Sequence, residues 1–259
     1  MRCAKRRWAR PRADDSRGEH PGVVSDGIQV KQFPYGADNL AYLLYTQRAA
    51  LAVDGGAVCA MTAFVRAHGL KLTAVTNTHG HGDHTSGNGD LVDRTGAPYV
   101  PAAEMMEAGG WRLEGRIVAV FATPGHSADA VVLQAGRFLI TGDTLFNGTV
   151  GNCFTGDLKA FYDSIRRISA FPDDSVIYAG HDYVTEAMAF ARRLEPENPH
   201  IDDFLSRYRP EHVYSTLADE KNVNPYLRFN EEPIAALLRR KGLPVDTPFN
   251  RFKAVMTLG

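Results

Sequence analysis

The segment Thr78-His79-Gly80-His81-Gly82-Asp83-His84 decides how this chain of 259 residues folds and what chemistry it supports. It places three imidazoles and one carboxylate within a few residues, and no apolar side chain interrupts them. Imidazole nitrogen and carboxylate oxygen are preferred non-thiolate ligands of Zn²⁺, and Fe and Mn accept them as well. Gly80 and Gly82 allow the backbone to turn tightly, so that neighbouring side chains can point inward. Four potential ligands this close together predict two metal ions rather than one.

Short apolar runs separated by turns surround this segment and predict an α/β fold. The predicted strands are residues 28–33, 40–45, 51–53, 72–76, 99–100, 117–121, 131–133, 138–140 and 176–179. Apolar spacing of three and four residues predicts helices over 58–67, 86–94 and 157–168. The strand at 72–76 leads directly into the histidine segment.

Three further clusters follow predicted strands, and each has a glycine directly before a potential ligand: Gly125-His126, Gly142-Asp143 and Gly180-His181. Open α/β folds place their sites at the carboxyl ends of strands. A lone Gly-His pair usually marks a turn, but four such clusters in one chain predict a single metal centre.

The last part of the chain is predicted to be all helical. No strand is predicted after residue 183, whereas helices are predicted over 185–194, 200–208 and 233–241. Thr216 and Asp219 have the spacing of a capping box and predict the start of another helix. A helical C-terminal region of about 75 residues would therefore follow the α/β body.

The pattern T-H-x-H-x-D-H, followed by G-H, G-D and G-H, resembles the metallo-β-lactamase fold superfamily over roughly residues 28–183. Within it, Gly142-Asp143-Thr144-Leu145-Phe146, Gly180-His181-Asp182-Tyr183 and the segments 215–221 and 224–228 are similar to glyoxalase II, the hydroxyacylglutathione hydrolases. The resemblance implies an αββα sandwich with an all-helical C-terminal domain. It implies a catalytic domain over 26–183 and a substrate-binding domain over 184–259. The basic composition of residues 1–25 predicts a disordered tail before them.

The resemblance also implies a dinuclear site. The first metal would be held by His79, His81 and His126, the second by Asp83, His84 and His181, and Asp143 would bridge them. Asp83 and Asp143 are thus the carboxylates expected to act in catalysis. Two divalent ions, Zn with Fe or Mn as alternatives, would share a water, lower its pKa towards about 7 and make hydroxide available to attack a thioester carbonyl.

Five residues are candidates for binding the substrate. Tyr183 matches a tyrosine that contacts glutathione in the family. Asn152 and Phe154 stand where the family has a basic residue and a tyrosine, and Arg251 and Lys253 are nearby cations at the C-terminal end. Loss of a cation removes a charge-assisted hydrogen bond to a substrate carboxylate. The identity of the thiol carrier therefore stays open.

Three reactions fit these residues. The first is hydrolysis of S-2-hydroxyacylglutathione or a related acyl-thiol. The second is persulfide dioxygenation at a single Fe held by His79, His126 and Asp143. Such dioxygenases resemble the histidine segment but generally lack a region like residues 215–228, which favours the hydrolase. The third is hydrolysis of another electrophile, such as a lactone.

Charge and cysteine content limit the partners and the compartment. The net charge is −1, and residues 1–20 contribute +4 to it, so the rest of the chain is acidic. An acidic body lacks the basic surface that nucleic-acid binding requires. No secretory signal or membrane-spanning run is evident, and no feature predicts an oligomeric state. Cys3, Cys59 and Cys153 are widely spaced, which predicts no disulfide and a cytoplasmic location.

The remaining acidic residues and histidines have simpler interpretations. Asp54 follows a strand in a glycine-rich turn, and it is either a turn residue or a partner that orients a ligand histidine. Asp129 and Asp182 are expected to make local hydrogen bonds. The histidines without a ligand-like context are His20, His200 and His212.

Overall fold

The computed structural model describes residues 27–259, so the predicted basic tail, Cys3 and His20 lie outside the described residues. The strands are β1 (Gln29–Tyr35), β2 (Asn39–Tyr45), β3 (Ala49–Val53), β4 (Lys71–Thr76), β5 (Trp111–Leu113), β6 (Arg116–Ala122), β7 (Val131–Ala135), β8 (Phe138–Gly142), β9 (Leu145–Phe146), β10 (Thr149–Val150), β11 (Val176–Ala179) and β12 (Ser215–Thr216). The helices are α1 (Val58–Ala67), α2 (Gly82–Thr85), α3 (Asn88–Thr95), α4 (Ala102–Glu107), α5 (Leu158–Ser169), α6 (Val184–Leu194), α7 (His200–Arg207), α8 (Leu217–Val223), α9 (Glu232–Arg240) and α10 (Pro248–Met256).

Two main sheets form the body of the protein. The first has the order β1-β2-β3-β4, and the second has the order β12-β11-β8-β7-β6-β5. Most neighbours are antiparallel, but β3 pairs with β4 in parallel and β8 pairs with β11 in parallel. Each parallel pair brings two strand carboxyl ends to one edge, and the polar clusters follow those ends.

Alternation of side chains along the strands produces four layers. In β2, Leu40, Tyr42 and Leu44 enter a core shared by both sheets, while Ala41 and Leu43 pack on the outer side with α1 and α3. The second sheet likewise turns Leu133, Ile140 and Val176 inward and Val132, Leu139 and Ile177 outward, towards α5. The αββα sandwich predicted by resemblance is confirmed.

Most predicted elements are confirmed, with ends that shift by a few residues. The predicted strand at 99–100 is reduced to one bridge between Val75 and Tyr99. The structure adds α2, α4, α10, β5, β9 and β10, which the sequence patterns did not predict. None of the helices in residues 27–259 combines the length and apolar character needed to cross a bilayer.

The C-terminal region is helical, and the capping box of Thr216 and Asp219 is confirmed at the start of α8. The expectation that it contains no strand needs one correction, because Ser215–Thr216 pairs with β11 at the edge of the second sheet. The region packs on both sides of that sheet. Helices α6 and α7 join the core between the sheets, and α9 and α10 join the outer core beside α5.

The cysteine prediction is partly wrong. Cys153 is a free thiol in the loop after β10. Cys59, in α1, is disulfide-bonded. The cytoplasmic location stays a prediction.

Glu220 in α8 gives the fold a pH dependence. Its carboxyl is fully buried, and burial raises its pKa from 4.5 to about 7 despite hydrogen bonds from Ser215, Asn224 and Gly148. Between these two values the folded chain holds a proton that the unfolded chain has lost, so the free energy of unfolding falls as pH rises.

We expect this group to lower the free energy of unfolding by roughly 3 kcal/mol between pH 4.5 and pH 7. Glu220→Gln removes the titrating group. The difference in free energy of unfolding between the wild type and this variant should therefore change by roughly 3 kcal/mol between pH 4.5 and pH 7. Chemical denaturation at several pH values measures it. Parallel pH profiles for the two proteins would contradict the assignment.

Candidate metal centre

Four strand ends deliver the seven predicted ligands to one edge of the sandwich. The histidine segment follows β4, His126 follows β6, Asp143 follows β8 and His181 follows β11. The parallel pairing of β8 with β11 sets Gly142 beside Ala179, and the Gly180 amide donates to the Gly142 carbonyl at 2.9 Å. The structure brings all seven side chains together.

The first group contains His79, His81 and His126. Their nitrogens converge on a small volume: His79 Nε2 lies 2.9 Å and His126 Nε2 lies 3.0 Å from His81 Nδ1. His79 is almost fully buried. Three imidazole nitrogens that face one another, rather than separate acceptors, form a donor set suited to a divalent ion.

The second group contains Asp83, His84 and His181. Asp83 Oδ2 lies 3.6 Å from His84 Nε2 and 3.3 Å from His181 Nε2. The two imidazole nitrogens are 3.3 Å apart. This group therefore combines two nitrogens with one oxygen, again within reach of a single ion.

Asp143 lies between the two groups. Its Oδ2 is 3.5 Å from His126 Nε2 and 3.4 Å from His181 Nε2, and its Oδ1 is 3.3 Å from His84 Nε2. Oδ1 is buried, and among the described residues it has no partner with hydrogen-bond geometry. A buried carboxylate oxygen without a partner calls for a cation. The His/Asp clusters are thus able to bind metal ions, and the donor set fits them.

Burial and neighbouring charges shift the pKa values of these side chains in different directions. Burial lowers the pKa of His79 to about 4, which keeps its ring neutral with a lone pair available. Burial alone would raise the pKa of Asp143, but the adjacent His181 and His84 side chains hold it well below its usual range. Burial would lower the pKa of His84, but Asp54 and Asp143 raise it to about 10.

Asp54 both forms the turn and orients a ligand. It has a φ of 56°, in the left-handed region, and is fully buried. Its carboxylate accepts from the Thr78 amide at 2.8 Å, and Oδ2 lies 3.1 Å from His84 Nδ1. The two interpretations left open by the sequence both apply. A carboxylate on one ring nitrogen directs the other nitrogen of that histidine towards a metal.

Other ligand histidines are oriented in the same way. His181 Nδ1 lies 2.8 Å from Asp38 Oδ1. His126 Nδ1 lies 3.0 Å from the Asn152 carbonyl oxygen. In both cases the second ring nitrogen faces Asp143.

Sequence reasoning missed the turn between β1 and β2. Asn39 donates from Nδ2 to Asp83 Oδ2 at 2.9 Å, and the Tyr35 hydroxyl donates to the Asp83 carbonyl at 2.9 Å. With Asp38 on His181, this turn holds two members of the second group. Only its Tyr-Gly-Ala-Asp-Asn composition hinted at it, and that composition is ordinary for a turn.

Two glycines allow the backbone to approach Asp143. A Cβ atom at Gly180 would lie 2.0 Å from Asp143 Oδ1, and one at Gly151 would lie 1.9 Å from the Asp143 carbonyl oxygen. Neither distance is tolerable for carbon, so both positions require glycine.

Three of the five candidate substrate residues lie at the centre. The Tyr183 ring stacks on His181 with centroids 5.1 Å apart. Phe154 is 67% exposed although its ring lies 5.1 Å from that of His126. Asn152 exposes its side chain while its carbonyl contacts His126.

The structure does not bring the other two to the ligands. The Arg251 guanidinium donates to Asn230 Oδ1 and to the Val245 carbonyl, within the C-terminal region itself. Lys253 is exposed on α10. As expected, Asp129 accepts a local hydrogen bond from the Ser127 hydroxyl. Asp182 accepts locally from the Val184 amide, but also from the Tyr208 hydroxyl, 26 residues away. The candidate ligand groups within residues 27–259 include neither His200 nor His212.

Comparison with known proteins agrees with this geometry. A family model described as metallo-beta-lactamase superfamily matches residues 35–119, and one described as hydroxyacylglutathione hydrolase C-terminus matches residues 182–257. The hydroxyacylglutathione hydrolase of Chromohalobacter salexigens is 32% identical over 236 residues, covering 83% of this chain and 92% of that protein. The chain belongs to the hydroxyacylglutathione hydrolase family. It is therefore a hydrolase of the metallo-β-lactamase superfamily.

Another member of the hydroxyacylglutathione hydrolase family, from Alkalilimnicola ehrlichii, is 33% identical over 247 residues, covering 88% of this chain and 96% of that protein. Among solved structures, ETHE1 from Myxococcus xanthus is 25% identical with a TM-score of 0.60, covering 87% of this chain and 99% of that one. The BLEG-1 B3 metallo-beta-lactamase, 21% identical with a TM-score of 0.58 over 77% of this chain and 99% of that one, shares the fold. The boundary between the catalytic and substrate-binding domains, placed between residues 183 and 184, stays a prediction.

Proposed function

We propose that this protein hydrolyses the thioester of an S-2-hydroxyacylglutathione, such as S-lactoylglutathione, to a hydroxy acid and glutathione, and that it does so with two divalent metal ions, of which zinc is the expected one. The observation that carries the proposal is the meeting of two ligand groups at Asp143, whose buried Oδ1 has no hydrogen-bond partner among the described residues. Relatives named hydroxyacylglutathione hydrolase support the substrate class.

The seven side chains have distinct tasks in this proposal. His79, His81 and His126 hold one ion, and Asp83, His84 and His181 hold the other. Asp143 contacts both groups and fixes their separation. Such a pair of ions lowers the pKa of a bound water and polarises a thioester carbonyl.

Residues around the ligands keep this arrangement ready. Asp54, Asp38 and the Asn152 carbonyl each hold one ligand histidine by its outer nitrogen. Asn39 holds Asp83. These contacts fix the ring orientations before any substrate arrives, so little reorganisation accompanies the reaction.

The substrate would lie between two aromatic side chains. Tyr183 is stacked on His181 on one side, and Phe154 stands exposed beside His126 on the other. An exposed phenyl ring provides apolar contact but no hydrogen bond. The thiol carrier therefore gains less binding energy from Phe154 than it would from a charged or hydroxylated side chain.

Asn152→Lys tests this placement. The Asn152 side chain is exposed and only its backbone contacts His126, so the substitution adds a cation without disturbing the ligand. We expect KM for S-D-lactoylglutathione to fall roughly three- to tenfold, with kcat unchanged, because a charge-assisted contact to the substrate carboxylate is gained. Asn152→Gln is the matched neutral control. An unchanged KM for the lysine variant would place the substrate elsewhere.

A persulfide dioxygenase with one Fe on His79, His126 and Asp143 is the alternative reaction. It needs three ligands, whereas the second group of Asp83, His84 and His181 is complete here and has its own orienting contacts from Asp38, Asn39 and Asp54. That completeness favours hydrolysis.

The proposal is tested with a panel of substrates. Purified protein, loaded with Zn²⁺, Fe²⁺ or Mn²⁺ in turn, is given S-D-lactoylglutathione, acyl thioesters of other thiols, a lactone, and glutathione persulfide with O₂ consumption recorded. The proposal predicts that the glutathione thioester is turned over with the highest kcat/KM. Preference for another carrier would reject glutathione, and O₂ consumption without thioester hydrolysis would reject the reaction class.

A further inference from the structure

The segment 147–152 links the C-terminal region to the candidate metal centre. It begins shortly after Asp143 and contains β10. Asn147 donates from Nδ2 to Ser215 Oγ at 2.7 Å and to the Ile177 carbonyl at 3.2 Å. The start of the segment is therefore fixed to residues far away in the chain.

Glu220 lies at the middle of this connection. Both oxygens of its carboxylate accept from the Gly148 amide at 3.0 Å. Oε1 also accepts from the Ser215 hydroxyl at 2.7 Å, and Oε2 accepts from Asn224 Nδ2 at 2.8 Å. Asn224 Nδ2 in turn donates to the Thr149 carbonyl at 3.1 Å. The side chains that make these bonds are all buried: Glu220, Asn224 and Asn147. Water therefore does not compete for the bonds.

A carboxylate suits this position better than any other side chain. Each group that faces it is a donor, and above its pKa of about 7 the ionised carboxylate is an acceptor at both oxygens. Gly148 has a φ of +93°, and a Cβ there would lie 2.4 Å from the Met188 methyl carbon. The backbone at Gly148 is thus held between α6 and the Glu220 carboxylate.

The other end of the segment touches the ligands. Gly151 packs so closely on Asp143 that a Cβ would lie 1.9 Å from its carbonyl oxygen and 3.0 Å from His126 Nδ1. The next residue, Asn152, places its carbonyl 3.0 Å from His126 Nδ1. A shift of the segment therefore changes the orientation of His126 and the space beside Asp143.

We propose that Glu220 is a positioning residue for the metal centre: by holding Gly148 it sets the path of segment 147–152, and through Asn152 it sets the orientation of the ligand His126. The C-terminal region would then support metal binding as well as substrate binding. This inference rests on the metal ligands of the proposed function, although it does not depend on which thioester is the substrate.

The test compares two buried glutamates of the C-terminal region. In Glu220→Gln, either orientation of the amide sets an N–H group against the Gly148 amide, because that amide lies 3.0 Å from both oxygens. Glu195 is also buried, but its carboxylate pairs with the Arg228 guanidinium at 2.7 and 2.8 Å and not with segment 147–152. Glu195→Gln thus weakens the same region without touching the connection.

The measurement is Zn²⁺ affinity of the full chain by competition with a chromogenic chelator, together with denaturant unfolding of each variant without zinc. We expect Glu220→Gln to bind at least one zinc ion about tenfold more weakly. Glu195→Gln should change zinc affinity less than twofold, even if it lowers the denaturant midpoint of unfolding as much as Glu220→Gln does. Equal losses in both variants, or unchanged affinity in Glu220→Gln, would overturn the inference.

Ser215→Ala decides the matter where Glu220→Gln does not fold. It removes one donor to the carboxylate and one acceptor of Asn147 Nδ2, so it loosens segment 147–152 through two contacts, while the Gly148 and Asn224 bonds stay in place. We expect a weakening of zinc binding by about two- to threefold in this variant, and wild-type affinity would reject the proposal. Zinc competition uses no substrate. Absence of thioester hydrolysis by the wild type would therefore refute the proposed function separately from the role of Glu220.

Discussion

Asp143→Asn should abolish thioester hydrolysis and lower the bound metal. The carboxylate contacts histidines of both ligand groups, and an amide nitrogen in place of either oxygen would point N–H groups at a position suited to a cation. We expect kcat/KM to fall on the order of 10³-fold or more. The measurement is initial rates with metal content determined on the same sample.

The matched control for this variant is Asp129→Asn. Asp129 is exposed near the histidine segment and accepts a local hydrogen bond from Ser127. It should keep wild-type activity and metal content. Full activity in Asp143→Asn would contradict a shared role for this carboxylate in the two groups.

Asp54→Asn should weaken metal binding at the second group without altering the turn. Asparagine tolerates the left-handed backbone that Asp54 adopts, so strain is not introduced. The amide has no good orientation, because the Thr78 amide faces one oxygen and His84 Nδ1 faces the other. When the amide N–H faces Nδ1, the proton of His84 moves to Nε2 and blocks ligation. We expect a roughly 10- to 100-fold loss of metal affinity.

Asp38→Asn provides the comparison, since Asp38 holds His181 in the same way. Its side chain is 39% exposed, whereas that of Asp54 is fully buried. Water can replace the lost contact at Asp38 but not at Asp54, so the effect on metal affinity should be several-fold smaller. Zinc competition on both variants measures the difference. Equal effects would show that burial of the partner does not matter.

Local sequence patterns were sufficient to predict which His and Asp side chains meet at one edge, and most of the sandwich. Each cluster of predicted ligands follows a strand whose apolar run is visible in the sequence, and each cluster contains a glycine directly before at least one of its ligands. The close approach of Gly180 to Asp143 gives a physical reason for one of those glycines. The predicted strands before them differ from the observed ones only at their ends.

Features that depend on contacts between distant segments were not predicted. Asp38 and Asn39 look like ordinary turn residues, and only the folded chain sets them against His181. Glu220 lies between Asp219 and Lys221, which suggests an exposed helix face, yet it is fully buried against Gly148. The helix α10 was missed because its Phe-Asn-Arg-Phe sequence has weak helix propensity, and packing of Phe252 on Phe161 stabilises it.

The most direct test of the central claim is a metal titration of the metal-free protein. Zinc is added in known equivalents while hydrolysis of S-D-lactoylglutathione is followed. The proposed dinuclear site predicts no turnover without metal and full turnover at two equivalents per chain. Turnover by the metal-free chain, or two bound ions without any thioester hydrolysis, would contradict it.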